Sequence, residues 1–449
     1  METPIQKALD AYIQKDMTRF HMPGHKGADF DLLGAVLPYD LTEVLGTDSL
    51  YDAEECIRDC EREYEKLYGS YRTLLSAGGS TLCIQTMLAL CAPAGSKILA
   101  GRNIHVAAVN AMGLLDLHPT WILPKSNPGG VGSTISPADV ENALAADPQL
   151  RAVYITSPDY FGVMSDVKAI AEICKRHGVP LLVDNAHGAH FPFLDENRHP
   201  MALGATACCD SLHKTLPVLT GGALLHLADE AMASRAKQAM SMFGTTSPSY
   251  LIMLSADRAL YYIHGQLRED LRKTADITAA LRAIAEKKGF YLPQNCDPVR
   301  LTLGIAQAGF DADSFGALLR SHQIEPEYLS DTGCVLLLSA FNREKDYARL
   351  QNLLESLPDR APLTVPVPEV RLPDTAPMTV REAMLGEKGT LPVDALEGKI
   401  CACVKSPCPP GIPLVVPGER IDGVMCRLLG AYGVRELEIV LSIQHKARI

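Results

Sequence analysis

The chain has 449 residues, enough for roughly two or three domains around a large core. Its hydrophobic content of 47% and charged content of 21% are those of a globular protein, and no apolar run approaches the roughly 18 residues of a membrane span. A net charge of −11 argues against nucleic acid or an anionic membrane as the main partner.

The start, Met1-Glu2-Thr3-Pro4, has neither a basic nor an apolar leader region, so no signal peptide is expected. Thirteen scattered cysteines without a CxxC pair read as buried thiols of a reducing cytosol, and the expected location is cytoplasmic. Cys401-x-Cys403 with Cys408 has no nearby histidine, so no metal site is expected there.

The first marked segment is Arg19-Phe20-His21-Met22-Pro23-Gly24-His25-Lys26-Gly27. Two histidines and two cations around a Pro-Gly turn make either a solvated loop or an arm reaching a site across a subunit interface. Asp52-Ala53-Glu54-Glu55 then reads as a capping box. It opens a helix to Tyr68 with Cys56, Cys60, Tyr64, Leu67 and Tyr68 on one stripe, stopped by Gly69.

Ala77-Gly78-Gly79-Ser80-Thr81 is a glycine-rich turn into an apolar helix, Leu82 to Cys91. Helix N-terminal amides and two hydroxyls suit a phosphate; the plain alternative is an N-cap at Ser80. Lys97–Ala100 is a short strand whose far corner carries His105, placed either to stack on a flat ring or simply to pack. A strand from Ala152 ends before Ser157-Pro158-Asp159, and a helix capped by Asp166 runs to His177 before Gly178.

Two strand ends carry the chemistry. The strand Pro180–Val183 ends in Asp184-Asn185-Ala186-His187, and a second begins at Ala207 and ends in Ser211-Leu212-His213-Lys214. A lysine at the end of a buried strand is expensive while charged and unpaired, and burial favours the neutral amine, a nucleophile or Schiff-base partner. An aspartate at the end of the preceding strand, about thirty residues earlier, suits pyridoxal phosphate. The lysine holds the aldehyde and the aspartate keeps the ring nitrogen protonated. Strands alternating with helices predict an α/β fold with a mostly parallel sheet and ligands at the strands' C-terminal ends, where Asp159, Asp184 and Lys214 all lie.

Gly244–Ser249 is a hydroxyl-rich turn, and a long helical stretch is expected from Leu251 to about Lys288. Residues 290–360 read as a small α+β domain, with a strand at Val335–Ser339. Five prolines make 361–377 linker-like. The expected organisation is an N-terminal arm (1–39), a large cofactor-binding domain (40–289), the small domain (290–360), the linker (361–377) and a C-terminal domain (378–449). The last holds a proline-stiffened stretch, Ser406–Glu419, and a helix-like run, Ile421–Tyr432.

Phe20-His21-Met22-Pro23-Gly24-His25-Lys26-Gly27, Asp184-x-Ala186-His187, Ser211-x-His213-Lys214 and Pro409-Pro410-Gly411-Ile412-Pro413-Leu414 together resemble the ornithine/lysine/arginine decarboxylases. The likeness spans nearly the whole chain and is to the short form without an N-terminal wing domain. It implies the fold-type-I pyridoxal-phosphate transferase fold and decarboxylation of a basic amino acid to its amine, a step of polyamine biosynthesis.

By the same resemblance, Lys214 holds the cofactor as a Schiff base, and His213 and Ser211 lie by the phosphate and that bond. Asp184 pairs with the ring nitrogen, Ala186 and His187 sit near the ring, and His105 stacks on its face. Ser80 and the Gly79 amide, with Thr81 as a further candidate, hold the phosphate. Lys214, His105, Asp184 and His213 form the catalytic set. Thr246 and Ser247 match a segment that reaches the neighbouring subunit's phosphate, implying a homodimer, or a multiple of dimers, with shared sites. His25 and Glu327 match residues directed at the substrate.

The chain departs from the family at Ala77-Gly78-Gly79-Ser80-Thr81, where Asn-Gly-Thr-Ser/Thr is commoner, and at Cys408, where a tyrosine is common. Two rivals stand beside this reading. An aminotransferase needs an arginine on the substrate carboxylate, and none is evident at the strand ending Ser339-Ala340-Phe341. A non-catalytic pyridoxal-phosphate-binding regulator would keep Lys214 without turnover.

Overall fold

The structure, a computed structural model, describes residues 14–20, 26, 39–44, 47–365, 370–373, 375–406 and 412–441. His25 and the segment around Cys408 lie outside the described residues.

After a short strand β1 (Thr18–Phe20), the chain builds β2 (Arg72–Ser76), β3 (Lys97–Gly101) and β4 (His118–Ile122). A small ribbon, β5 (Lys125–Ser126) with β6 (Ser133–Thr134), precedes β7 (Leu150–Thr156), β8 (Leu181–Asp184), β9 (Ala207–Ser211) and β10 (Ala223–Leu227). Seven of these form one sheet in the order β2-β10-β9-β8-β7-β3-β4. β10 runs antiparallel to both neighbours, and the other pairings are parallel. The mostly parallel α/β architecture is therefore as the strand–helix alternation predicts.

The uninterrupted apolar runs of β7, β8 and β9 follow from burial on both faces. Ala152, Tyr154, Leu182 and Cys209 enter one core with Ile84 and Leu88 of the helix Gly79–Cys91. Their neighbours Val153, Ile155, Leu181, Val183 and Cys208 enter a second core with Ile170 and Cys174 of the helix Val167–His177. Each such aliphatic side chain stabilises the fold by roughly 1.5–3 kcal/mol. The ends of these strands are thus anchored from both faces of the sheet.

A second sheet, β11 (Arg300–Gly304), β14 (Gly333–Leu337) and β13 (Tyr328–Leu329), is antiparallel and carries the helices Ala312–Ser321 and Glu344–Ser356. β12 (Ile324–Pro326) pairs in parallel with β1, and Phe20 is buried in the same core as Leu301 and Phe315. Further on, β15 (Lys388–Pro392) and β16 (Glu436–Val440) pair antiparallel beside the helix Gly423–Ala431. Arg102, at the end of β3, is fully buried and ties this C-terminal part to the main sheet. Its two terminal nitrogens each donate to Glu419 at 2.7 Å, and its Nε donates to the Pro413 carbonyl at 2.8 Å.

Local expectations are corrected in two places. The helix Cys56–Tyr68 is capped by Asp48 rather than by a box at Asp52. The Asp48 carboxylate accepts from the Glu55 and Ile57 amides at 2.9 and 3.1 Å, and Asp52 lies in a short 3-10 turn. The stripe shifts with it, so that Ile57 is buried and Cys56 exposed. The stretch expected to be one long helix is two, Tyr250–Gly265 and Leu267–Lys287, broken at Gln266. Among the described residues no helix is long and apolar enough to cross a membrane.

Candidate active site

The C-terminal ends of the parallel strands open onto a cavity of about 370 Å³. On its wall lie Ser80, His105, Asp184, Ala186, His187 and Lys214, six of the residues the sequence points to. Asp184 ends β8 and is 2% exposed. Its Oδ1 accepts from the Ala186 amide at 3.2 Å and its Oδ2 from the Tyr154 hydroxyl at 3.3 Å. Burial holds that tyrosine protonated, so it serves the carboxylate as a donor.

Lys214 sits in the single turn Leu212–Thr215 that follows β9, with Nζ 3.0 Å from His187 Nε2. Burial pushes its ammonium pKa down, against the opposing pull of Asp184. His105 caps the helix Val106–Leu115, its Nδ1 accepting from the Ala107 amide at 3.2 Å, so a neutral ring carries its proton on Nε2. Burial lowers the pKa of His105 and favours that neutral ring. His213, behind Lys214, lies with Nδ1 3.2 Å from the Gly222 carbonyl, which only an N–H can satisfy; its Nε2 is left as a lone pair.

The glycine-rich turn is a true helix start, with Gly79 at φ +69°. The Gly79 amide donates to the Gly221 carbonyl at 2.8 Å, so Gly79 shapes the turn while its own N–H is engaged elsewhere. The first-turn amides of Ser80 and Thr81 have no intrahelical partner, as at any helix N-terminus. Ser211 donates from Oγ to the Ser80 Oγ at 2.9 Å, and Thr81 is exposed. Thr246 and Ser247 are exposed in the loop before the helix Tyr250–Gly265 and do not line this chain's cavity. Glu327 accepts from the Tyr160 hydroxyl at 3.2 Å, and Tyr160 is on the cavity wall.

Several residues of the site carry no mark in the sequence. Asn103 and Thr156 line the cavity, and both polar atoms of the Asn103 side chain and the Thr156 Oγ1 are buried without a hydrogen-bond partner. Such orphaned atoms are costly unless something polar meets them. Together with an amine, an acid at the cavity floor, a neutral imidazole and a helix N-terminus, they fit pyridoxal phosphate. Arg300, the first residue of β11, is the other unmarked member; it is buried, with Nη2 3.2 Å from His187 Nδ1 and Nη1 3.0 Å from the Tyr160 carbonyl. No arginine is on the cavity wall among the described residues. Arg343, two residues beyond Ser339-Ala340-Phe341, pairs with Asp16 and Asp346 and clamps nothing in the cavity.

Beneath the floor lies a buried brace. Asn185 donates to Asp210 Oδ1 at 2.6 Å, while His199 and His226 meet its Oδ2 at 2.9 and 3.3 Å. Burial opposes the Asp210 charge, but the two histidines outweigh it and hold its pKa below the usual carboxylate range. His199, Cys208 and Asp210 are close enough to ligate a metal, yet His199 and Asp210 are already hydrogen-bonded to each other.

This fold is that of the fold-type-I pyridoxal-phosphate enzymes. It superposes on the constitutive lysine decarboxylase of E. coli with TM-score 0.73 at 18% identity, covering 98% of this chain and 82% of that one. An alanine–glyoxylate aminotransferase from Nostoc sp. matches at TM-score 0.58 and 16% identity, over 75% of this chain and 94% of that one. The sequence profile described as Orn/Lys/Arg decarboxylase, major domain, matches residues 3–302, and that of the C-terminal domain matches 367–433. An arginine decarboxylase of Halalkalibacterium halodurans is 30% identical over 451 residues, covering 94% of this chain and 91% of its own. One from Bacillus subtilis is 31% identical over 452 residues with the same coverages. The chain belongs to the Orn/Lys/Arg decarboxylase family and is a carboxy-lyase.

Proposed function

We propose that the protein is a pyridoxal-phosphate-dependent decarboxylase of a basic amino acid, releasing carbon dioxide and the corresponding amine. The observation that carries this reading is the convergence of the Lys214 amine and the Asp184 carboxylate on one cavity whose wall holds no arginine among the described residues. Among arginine, lysine and ornithine, arginine is favoured by two arginine decarboxylase relatives at about 30% identity over nearly their whole lengths.

Pyridoxal phosphate, when bound, supplies a cationic ring that accepts the electron pair left on Cα as carbon dioxide departs. Lys214 Nζ is the amine that holds it. Asp184, braced by the Ala186 amide and Tyr154, keeps a proton on the ring nitrogen. His105 covers one ring face. The amides of Ser80 and Thr81, with the Ser80 and Ser211 hydroxyls, receive the phosphate. Thr246 and Ser247 complete that phosphate site from a neighbouring subunit, which makes the working unit a homodimer or a multiple of it.

A carboxylate left without a cationic clamp is readily lost as neutral carbon dioxide, whereas transamination retains it, usually on an arginine. Arg300 does not supply such a clamp, because its guanidinium is already bonded to protein carbonyls and His187. Lys214 Nζ, or a nearby histidine that carries a proton, returns it to Cα. Glu327 and His25 are assigned to the substrate, on the family resemblance. The division into an arm (1–39), large (40–289), small (290–360), linker (361–377) and C-terminal (378–449) parts, and a cytoplasmic setting, complete the proposal.

The test is a panel of arginine, lysine and ornithine with carbon dioxide and amine measured together. One substrate should give both in equal amounts. Keto acid without carbon dioxide would make the protein an aminotransferase, and cofactor binding without turnover would make it a regulator.

A further inference from the structure

Arg300 is 1% exposed and held from several sides. Its Nη1 donates to the Tyr160 carbonyl at 3.0 Å and the Asp159 carbonyl at 3.4 Å, and its Nε faces Asp297 Oδ2 at 3.8 Å. Gly162, at φ +88°, lets the loop close over it; a Cβ there would stand 2.5 Å from Arg300 Cδ. The remaining nitrogen, Nη2, lies 3.2 Å from His187 Nδ1.

A guanidinium only donates and does not lose its proton. His187 Nδ1 must therefore accept, and it carries no proton. A neutral imidazole with a bare Nδ1 has its proton on Nε2. That Nε2–H points at Lys214 Nζ, 3.0 Å away, and a lysine nitrogen accepts a hydrogen bond only as the neutral amine. The opposite arrangement, an ammonium donating to a bare Nε2, would set Nδ1–H against the Arg300 N–H, donor to donor, around a ring that is 7% exposed.

We propose that Arg300 is a positioning residue: by occupying Nδ1 of His187 it keeps the ring proton on Nε2, and His187 in turn holds Lys214 as a neutral, oriented amine before the aldehyde arrives. Arg300 acts through His187, and it is not on the cavity wall. Burial works the same way at both partners, lowering the Lys214 ammonium and keeping the His187 ring far from protonation, the latter helped by the nearby Arg300 charge. The importance of this device for cofactor capture rests on the reading of Lys214 given above; the proton arrangement itself rests on the contacts alone.

The experiment uses the full chain without cofactor, labelled with 15N-histidine, with the His187 signals assigned by their loss in His187→Gln. At pH 7 the wild type should show a proton on Nε2 and none on Nδ1. A proton on Nδ1, or on both nitrogens, overturns the proposal, and this spectrum decides even if Arg300 variants fail to fold. In Arg300→Met the ring should lose its single tautomer, and acylation of Lys214, followed by peptide mass, should slow by about tenfold, the equivalent of one pKa unit. Arg300→Lys keeps one donor toward Nδ1 and should recover part of that rate. Unchanged labelling in Arg300→Met would also overturn it. A correct tautomer in a protein whose cofactor is fixed elsewhere would leave this proton arrangement standing and sink the reading of Lys214.

Discussion

Lys214 and Asp184 are both acidic–basic groups at strand ends, but their surroundings give them separate tasks. Lys214 is pressed toward the neutral amine, while Asp184 is fixed in place by an amide and a tyrosine hydroxyl. Asp184→Asn keeps the shape and removes that charge, and we expect kcat to fall roughly a hundredfold or more with the fold intact by circular dichroism. Asp159 gives a pH signature. Burial raises its pKa to about 6, although it accepts from the Val163 and Ser133 amides. A raised folded pKa means that the protonated form favours the fold, so stability present below about pH 4 is lost as the pH climbs through 6, by about 3 kcal/mol. Urea unfolding of Asp159→Asn should show a correspondingly smaller loss across that window than the wild type. Lys214, Asp184, His187 and His105 were legible because a polar residue at the end of an apolar strand is conspicuous. Arg300 was not, since its meaning lies in a partner 113 positions away, and neither were Asn103 and Thr156, whose unpartnered atoms appear only once the cavity is assembled.

At the scale of elements, the strand order converts sequence punctuation into a site, and β3 does more than end near His105. Arg102 at its end grips Glu419 through two bonds and the Pro413 and Leu414 carbonyls, and Ser406 of the same C-terminal part reaches the cavity wall. Glu419→Gln leaves a buried, unpaired guanidinium, so a loss of about 3–5 kcal/mol is expected, read as a lower melting temperature and faster proteolysis after residue 370. Asp210→Asn should cost a similar amount, about 3–5 kcal/mol, by stripping the charge that His199 and His226 share. The strands and most helices could be read from their periodicity. The cap at Asp48 could not, because it reaches forward to the Glu55 and Ile57 amides from outside the box that Asp52 seemed to open. The break at Gln266 carries no proline or glycine of its own, and Gly265 before it passes for an ordinary helix residue.

For the whole molecule, the exposed Thr246 and Ser247 matter most, because their proposed role lies in another subunit. Mixing Lys214→Ala with a Thr246→Ala/Ser247→Ala chain should restore activity to about a quarter of wild type per site, since half the dimers formed at random hold one intact site. No recovery on mixing would confine each site to one chain. The central claim is simpler and concerns a single bond to the cofactor. Borohydride reduction of freshly purified, cofactor-loaded protein, followed by peptide mapping, should place the pyridoxyl label on Lys214 alone. Label on another lysine, or on none, would contradict the account.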